Sequence, residues 1–298
     1  MKSFTLSDSV TFSGIGLHSG LHSNIIINPA SPNSGISFKR IDKNEVIPAR
    51  WDHVISTKFS TNIGKNDTEV KTVEHLLSAL AGLHINNCEI LIDNCEVPIL
   101  DGSSKIFVDS ILKVGLKEQP LSQNVLEIKR PVKFECNYGF AELIPNNSIQ
   151  EGLNIDLESS FEGKYKDQSI EVKNLNGNYV DSIAQARTFG FFHEIEYMKS
   201  QNLIKGGSLE NAIVIKDQKP LNKEGLRFEN ELMRHKVLDV VGDLYLSGYP
   251  IIGTYRGFKT GHFITNNLLN ELFKSDRATF YVRFNYVMIN QRSHNIHE

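Results

Sequence analysis

The chain has 298 residues and a formal net charge of −3 at pH 7. Hydrophobic residues make up 40% of it and charged residues 22%, proportions that are typical of globular proteins and exclude a disordered chain or a coiled coil. The near-neutral charge argues against a general nucleic-acid binder, which usually carries a basic excess, and no apolar run reaches the ~18 residues that span a bilayer.

The beginning of the chain and its cysteines indicate the compartment. The opening MKSFTLSDSVTF has no apolar stretch of the kind that signal peptides carry. The three cysteines show no CxxC spacing, which argues against a disulfide framework and against a cysteine-type zinc site. We therefore expect a cytoplasmic protein without stable membrane insertion, with the monomer as the default.

The first part of the chain combines alternating strands with two amphipathic helices. Strands are predicted at 23–28, 35–39 and 88–93. Helical spacing of leucines predicts a helix over 72–83, with Thr72 as its N-cap. A turn at 101–104 then opens a second amphipathic helix.

A polar, proline-containing stretch at 117–124 is the predicted linker between two domains, residues 1–120 and 121–298. After it the same succession of strands and helices resumes. The predicted strands are 125–128, 140–144, 153–157 and 212–215. One helix is predicted to begin at Asp181 and a long one to cover 229–246. Two halves of strands followed by helices predict two α+β layers packed together.

The pair Glu74-His75 stands at the start of the first predicted helix. In a purely structural interpretation, the acid complements the helix dipole and the histidine is polar surface. In a functional interpretation, consecutive helix residues point ~100° apart. A metal-bound His75 would then leave Glu74 beside the open coordination position, where a general base acts on water. Both interpretations stay open on these residues alone.

His235 and Asp239 lie four residues apart on the long predicted helix, so they share one face. Asp243 continues that face one turn on. The pair can converge on one cation, and two histidines with one carboxylate leave a position for water, as in a catalytic zinc site. The alternative is an exposed polar face with a His–Asp hydrogen bond.

Two more histidines stand beside glycines. His262 follows Gly261 in a predicted loop, where it is either a general acid near a metal or an ordinary surface residue. His18 lies in the glycine-rich run SGIGLHSG at 13–20. That run is not a phosphate-binding loop, because no Gly-Lys-Ser/Thr follows it.

Several short motifs occur in order along the chain: TVEHL at 72–76, PILDGS at 98–103, ARTFGF at 186–191, RFE at 227–229, RHKVLD at 234–239 and GH at 261–262. Together with the SGIGLHSG opening, they resemble the UDP-3-O-acyl-N-acetylglucosamine deacetylase family (LpxC). The match runs from about residue 12 to about residue 269. Motifs this numerous and this ordered are highly specific.

The resemblance implies an activity and a fold. Members of the family are zinc-dependent hydrolases that remove the N-acetyl group from UDP-3-O-acyl-N-acetylglucosamine. The products are UDP-3-O-acyl-glucosamine and acetate, in the committed step of lipid A biosynthesis in Gram-negative bacteria. The implied fold is α+β, a β-α-α-β sandwich of two domains whose helices pack together in the middle, with the zinc site between the domains.

The resemblance also implies roles for individual residues. The implied zinc ligands are His75, His235 and Asp239, a donor set that accepts Fe²⁺ as well. The implied catalytic residues are Glu74 as general base, His262 as general acid, Asp243 as the residue that holds the His262 ring, and Thr188 as oxyanion stabiliser.

The substrate is expected to meet two further regions. Lys236 is implied to lie near the diphosphate, and the insert at about 189–211 is implied to form a passage for the fatty-acyl chain. The remaining implied substrate-binding residues are Phe189, Phe191, Ile195, Leu203, Gly207, Ser208 and His18. The expected partner is thus an acylated UDP-sugar, and no nucleic acid.

Two other functions are weighed against this one. A metallopeptidase also uses zinc and a carboxylate base, but the HExxH spacing is absent and Glu74 directly precedes its histidine. A zinc-stabilised protein that only binds a lipid or a nucleotide sugar would need neither Glu74 nor His262. Release of acetate from a UDP-sugar separates the enzyme from the binding protein.

Overall fold

The structure is a computed structural model that describes residues 2–275 and 279–283. Residues 284–298 of the second predicted domain lie outside the described part. The helices of the first part of the chain are α1 (Glu74–Gly82) and α2 (Lys105–Val114). Its strands are β1 (Lys2–Leu6), β2 (Val10–Ile15), β3 (His22–Pro29), β4 (Ile36–Arg40), β5 (Glu45–Pro48), β6 (Val54–Ser56), β7 (Asn62–Lys65), β8 (Thr68–Val70) and β9 (Cys88–Ile92).

The second part of the chain repeats this mixture of short strands and helices. Its helices are α3 (Leu175–Ser182), α4 (Phe192–Ser200), α5 (Glu231–Tyr245) and α6 (His262–Lys274). Its strands are β10 (Leu116–Ser122), β11 (Val125–Ile128), β12 (Val132–Cys136), β13 (Gly139–Ile144), β14 (Leu153–Ser159), β15 (Gln168–Val172), β16 (Phe189–Phe191), β17 (Ile213–Lys216), β18 (Lys219–Pro220), β19 (Ile251–Phe258) and β20 (Phe280–Arg283). The seven predicted strands are confirmed to within two residues at either end.

Strands β2, β3, β9, β4 and β5 form a five-stranded sheet in that order, antiparallel except where β4 runs beside β9. Residues of β3 alternate between the core and the outside, and Ile25 and Ile27 are fully buried. This is the period of two that the sequence shows. Phe12 of β2 packs edge-on against Phe107 of α2, with ring centroids 4.9 Å apart, so α2 covers the inner face of this sheet.

A second sheet follows the order β12, β13, β19, β11 and β20, and β14 and β15 belong to it as well. Its central strand β19 pairs antiparallel with β13 and parallel with β14 and β11. Strands β6 to β8 and β16 to β18 make two small three-stranded sheets. This mixed architecture of small sheets and few helices confirms the predicted α+β class. Within the described ranges, no helix is both long enough and apolar enough to cross a membrane.

The predicted linker at 117–124 is wrong, because these residues contribute β10, which pairs antiparallel with β1. Four of the seven residues of β10 are exposed, so this strand needs few apolar residues and its sequence resembles a linker. Its buried Gln119 accepts hydrogen bonds from Ser3 and Asn87, and Pro120 is tolerated at a sheet edge. The domain boundary at residue 120 falls inside this strand and stays a prediction.

Two predictions about where helices begin are also wrong. Thr72 is not the N-cap of α1: its backbone is left-handed, with a φ of 56°, and its hydroxyl donates to Glu96 rather than accepting from the helix. The helix predicted from Asp181 onwards ends there instead. The buried face of α3 comes earlier, at Leu175 and Tyr179, which are one helical turn apart.

His262 was predicted to lie in a loop, and it is instead the first residue of α6. The helix is held by Ile264, Leu268 and Leu272, which are buried and spaced four residues apart. Gly261, which precedes it, has an extended backbone that lets the chain turn into the helix. His262 is therefore attached to a rigid element.

Helices α1 and α5 pack side by side, and α5 is the main packing partner of α1. Their backbones touch at Gly242, where an added Cβ would overlap the carbonyl oxygen of Glu74. The first turn of α1 therefore faces the middle of α5. The predicted pairing of these two helices is confirmed.

Gly242→Ala should destabilise the protein, because the new methyl group would collide with the backbone of α1. Overpacking of this kind costs about 1–3 kcal/mol, and urea unfolding followed by circular dichroism measures it. Gly177→Ala is the matched control: nothing lies within 4 Å of its new Cβ, so we expect a neutral or slightly stabilising effect. Equal unfolding midpoints for both variants would contradict the close contact of the two helices.

Candidate active site

Three side chains predicted to bind a metal come together where α1 meets α5. His75 extends from the first turn of α1, and His235 and Asp239 from one face of α5. Nε2 of His75 lies 3.6 Å and Nε2 of His235 lies 3.4 Å from Oδ1 of Asp239. The possible ligand atoms all lie within 4.8 Å of one another. These three residues, called the His₂Asp group below, are able to hold a metal ion.

Three observations fit a divalent metal at the His₂Asp group. Oδ1 of Asp239 is buried without a hydrogen-bond partner among the described residues. In a tetrahedral site with ligand distances of about 2.0–2.2 Å, ligand atoms lie about 3.3–3.6 Å apart, which matches the distances of the two imidazoles from Asp239. In addition, Nδ1 of His235 lies 3.0 Å from the carbonyl oxygen of Ala186. Because a carbonyl only accepts, Nδ1 carries the proton and Nε2 keeps its lone pair for a metal.

Glu74, Asp243 and His262 form a second cluster next to the His₂Asp group. Nδ1 of His262 donates to Oδ2 of Asp243 at 2.8 Å. Nε2 of the same ring lies 3.8 Å from Oε1 of Glu74. His262 therefore stands between two carboxylates, with one ring nitrogen fixed and the other facing Glu74.

Burial and neighbouring charges raise the pKa values of both Glu74 and His262. Burial raises the pKa of Glu74 to about 8, and the charge of His262 acts against this shift. Burial also opposes a charged His262, but the charges of Asp243 and Glu74 outweigh it and raise the pKa of the ring to about 10. A divalent cation at the His₂Asp group would favour the carboxylate form of Glu74.

Sequence comparison identifies the family of this chain. Residues 3–274 match the family model described as LpxC, UDP-3-O-acyl N-acetylglycosamine deacetylase. The chain belongs to this deacetylase family. Proteins named UDP-3-O-acyl-N-acetylglucosamine deacetylase from Teredinibacter turnerae and Histophilus somni are 40% and 41% identical to it over 287 and 288 residues. One from Methylococcus capsulatus is 41% identical over 286 residues. Each alignment covers 95% of this chain and 94% of the relative.

Three residues predicted to bind substrate line one cavity of this member of the deacetylase family. Lys236, Phe189 and Phe191 border a cavity of about 250 Å³, together with Lys164 and Lys259. Nζ of Lys236 donates to a backbone carbonyl at 2.8 Å, and burial lowers the pKa of this lysine. A larger cavity of about 780 Å³ beside the second sheet contains none of the predicted site residues. The smaller cavity is therefore the better candidate, because three lysines, one glutamate and several aromatic rings line it.

Thr188 lies directly before β16 in a half-buried position. Its N–H donates to the carbonyl oxygen of Gly102 at 2.7 Å, and its own carbonyl accepts the N–H of Ile213 at 2.8 Å. The ring of the next residue, Phe189, packs edge-on against that of His235, with centroids 6.2 Å apart. Thr188 thus belongs to the backbone that borders the His₂Asp group.

The insert at 189–211 consists of β16, α4 and a turn-rich segment that returns to β17. Within it, Ile195 and Leu203 are half-buried, and Gly207 and Ser208 are exposed. The returning segment rests on the glycine-rich turn, because the N–H of Lys205 donates to the carbonyl of His18 at 3.3 Å. The His18 ring is buried, and burial lowers its pKa. The structure thus joins His18 to the end of the insert.

Sequence reasoning missed two groups that support this site. Glu231, in the first turn of α5, accepts from the backbone N–H of Arg187 at 3.1 Å and from its Nε at 2.9 Å. Arg187 follows Ala186, so this buried pair fixes the carbonyl that orients His235. Helical spacing could have indicated Glu231, because it precedes His235 by four residues and so lies on the same helix face. The second group is Thr61, and no motif marks it.

Removing any member of the His₂Asp group should remove the metal, because two remaining ligands are too few for a tight tetrahedral site. We expect the single alanine variants at His75, His235 and Asp239 to lose most of their metal during dialysis against a weak chelator, as measured by elemental analysis. His53→Ala changes a histidine whose ring pairs with the surface residue Asp52, and this variant should keep the metal. Stoichiometric metal in all three site variants would refute the assignment.

Proposed function

We propose that this protein hydrolyses the N-acetyl group of UDP-3-O-acyl-N-acetylglucosamine to give UDP-3-O-acyl-glucosamine and acetate, with Zn²⁺ as its metal. The observation that carries the proposal is that Glu74 and His262 face each other across 3.8 Å beside the His₂Asp group. Binding alone requires neither residue, whereas amide hydrolysis needs both a base and an acid. Membership of the deacetylase family supplies the substrate class.

The His₂Asp group is the proposed metal site. It would lie between the two proposed domains, because α1 belongs to residues 1–120 and α5 to residues 121–298. When bound, Zn²⁺ supplies Lewis acidity that polarises an amide carbonyl and makes water acidic near neutral pH. Three protein ligands leave one position open, as catalytic sites do. Two nitrogens and one carboxylate oxygen also accept Fe²⁺.

Glu74 is the proposed general base. Its Oε2 accepts the backbone N–H of Thr61 at 3.0 Å, so the carboxylate is held in place while Oε1 faces the cluster. Because Glu74 directly precedes His75, its side chain diverges from that ligand by ~100°. It can therefore take a proton from the attacking water without occupying a ligand position.

His262 is the proposed general acid, and Asp243 is the proposed residue that orients it. Asp243 accepts from Nδ1, which fixes the tautomer and leaves Nε2 to carry the transferable proton. The amine of the sugar is a poor leaving group until it is protonated. Nε2 would donate to that nitrogen as the C–N bond breaks, while the hydroxyl of Thr188 would donate to the oxyanion of the tetrahedral intermediate.

The remaining residues are assigned to substrate binding. Lys236 would meet the diphosphate in the cavity that it shares with Phe189 and Phe191. The insert would hold the acyl chain against Ile195 and Leu203, where each buried methylene contributes about 0.8 kcal/mol. The other residues assigned to this surface are Gly207, Ser208 and His18. One chain carries every residue of the proposed site, so we propose that the enzyme acts as a monomer. We also propose that it is cytoplasmic and has no nucleic-acid partner.

Glu74→Gln should keep the metal and lower kcat. Glutamine preserves the size of the side chain and can still accept the N–H of Thr61, but it cannot take a proton. General base catalysis is worth about 10²–10⁴-fold. Acetate release from UDP-3-O-acyl-N-acetylglucosamine by the zinc-loaded enzyme measures kcat. Glu69→Gln, which alters a glutamate paired with Lys71, is the control and should behave as the unmodified enzyme.

Two outcomes would contradict this proposal in different ways. Absence of acetate release by the unmodified, zinc-loaded protein would refute the proposed function. Loss of metal from Glu74→Gln, or near-full kcat with zinc bound, would refute only the general-base role. Glu74 would then act as a residue that supports the ligands.

A charge in the insert should weaken binding of the acylated substrate. Ile195→Glu and Leu203→Glu would place a carboxylate against hydrocarbon, so we expect KM to rise for the acylated UDP-sugar and to change little for UDP-N-acetylglucosamine. Tyr197→Glu is the matched control, because Tyr197 lies on the same helix as Ile195, with 54% of its surface exposed. Equal losses on both substrates would mean that the insert has only a structural role.

A further inference from the structure

Thr61 uses every polar group it has to hold the proposed acid–base cluster. Its N–H donates to Oε2 of Glu74 at 3.0 Å. Its hydroxyl donates to Oδ1 of Asp243 at 2.6 Å. Its carbonyl accepts the N–H of Val73 at 3.1 Å, the residue directly before α1. Thr61 is only 1% exposed, so solvent does not compete for these bonds.

The contacts of Thr61 orient the carboxylates of Glu74 and Asp243 toward the His262 ring. Each carboxylate has one oxygen bonded to Thr61 and the other directed at His262. Oδ2 of Asp243 lies 2.8 Å from Nδ1 of the His262 ring, and Oε1 of Glu74 lies 3.8 Å from Nε2. A carboxylate held at one oxygen cannot rotate freely, so Thr61 determines which oxygen His262 meets.

Thr61 is itself held firmly by its neighbours. Oδ1 of Asn62 accepts from the hydroxyl of Ser60 at 3.0 Å and from the N–H of Thr72 at 3.1 Å. This ties the segment around Thr61 to Thr72, two residues before α1. The segment therefore spans both helices at the place where Gly242 brings their backbones together. Thr61 is bonded to Glu74 on α1 and to Asp243 on α5. It therefore fixes the two helices relative to each other and orients both carboxylates.

We propose that Thr61 is a positioning residue for the hydrolytic reaction. Its hydroxyl fixes Asp243 and thereby the ring of His262, and its N–H fixes Glu74. Thr61 does not touch the reacting atoms in this role. The inference rests on the proposed function, because it assigns Thr61 to the reaction for which Glu74 and His262 are the proposed base and acid.

The isosteric substitution Thr61→Val removes the hydroxyl and keeps the backbone N–H. We expect kcat of the zinc-loaded enzyme to fall about 10–100-fold, as for other residues that orient a ligand or catalytic group through one hydrogen bond. KM and zinc content should stay unchanged, because neither substrate nor metal contacts Thr61 in this role. Thr61→Ser restores the hydroxyl and should restore kcat.

A matched control separates positioning from stability. Thr5 is 3% exposed, and its hydroxyl, on β1, donates to the carbonyl oxygen of Asn87 at 2.7 Å and accepts the N–H of Ala30 at 3.1 Å. Thr5→Val loses the same atoms from an equally buried site and should lower the unfolding midpoint without lowering kcat. If Thr61→Val does not fold, Thr61→Ala and Thr5→Ala are compared in the same assays.

A spectroscopic measurement tests the inference independently of turnover. In the zinc-loaded full chain, the Nδ1 proton of His262 should give a downfield, slowly exchanging NMR resonance, assigned by its loss in His262→Ala. We expect Thr61→Val to broaden or shift this resonance, and Thr61→Ser and Thr5→Val to leave it in place.

The outcomes distinguish the inference from the proposed function. An unmodified enzyme that releases acetate, with kcat and the His262 resonance unaffected in Thr61→Val, would overturn the inference and leave the function intact. Equal loss of kcat in Thr61→Val and Thr5→Val would also overturn it. An inactive unmodified protein would refute the function, and the NMR comparison would then decide on its own whether Thr61 orients His262.

Discussion

The contact between α1 and α5 at Gly242 is the constraint on which the rest of the site depends. Helix α1 carries only His75 and Glu74, and α5 carries His235, Asp239 and Asp243. Neither helix alone has the full set of possible ligands. Because Gly242 has no side chain, the two backbones approach closely enough for the possible ligand atoms to lie within 4.8 Å of one another. The missing Cβ of Gly242 therefore allows the close approach that brings the residues of the two helices together.

This contact also concentrates charge where the protein has little water. Glu74 and Asp243 are buried, and Asp239 carries a buried oxygen without a hydrogen-bond partner among the described residues. Burying carboxylates is unfavourable unless they are paired or coordinate a metal. Asp243 is paired with His262 and Thr61, whereas Oδ1 of Asp239 lies 3.4 and 3.6 Å from the two imidazoles of the His₂Asp group. The fold thus retains an electrostatic cost that a bound cation would offset.

Local spacing explains which parts of this structure could be predicted from the sequence. The four-residue interval between His235 and Asp239 fixes a shared helix face, and the alternation along β3 fixes which side is buried. The bond from Thr61 to Asp243 could not be predicted in this way, since it joins residues 182 positions apart. Nor could the left-handed backbone of Thr72, because threonine rarely adopts it without a tertiary contact such as that with Glu96. The family motifs supplied the long-range information that spacing lacks.

The position of His262 at the first residue of α6 has a consequence for how readily it releases a proton. The N-terminus of a helix carries the positive end of the peptide dipoles, which disfavours a cationic side chain there by about 0.3–2 kcal/mol. Asp243 and Glu74 favour the imidazolium, whereas the dipole of α6 acts against it. The two carboxylates favour the protonated ring of His262. The dipole of α6 opposes that charge and so makes loss of the proton easier. Helix α6 thereby tunes the acidity of the ring that it carries.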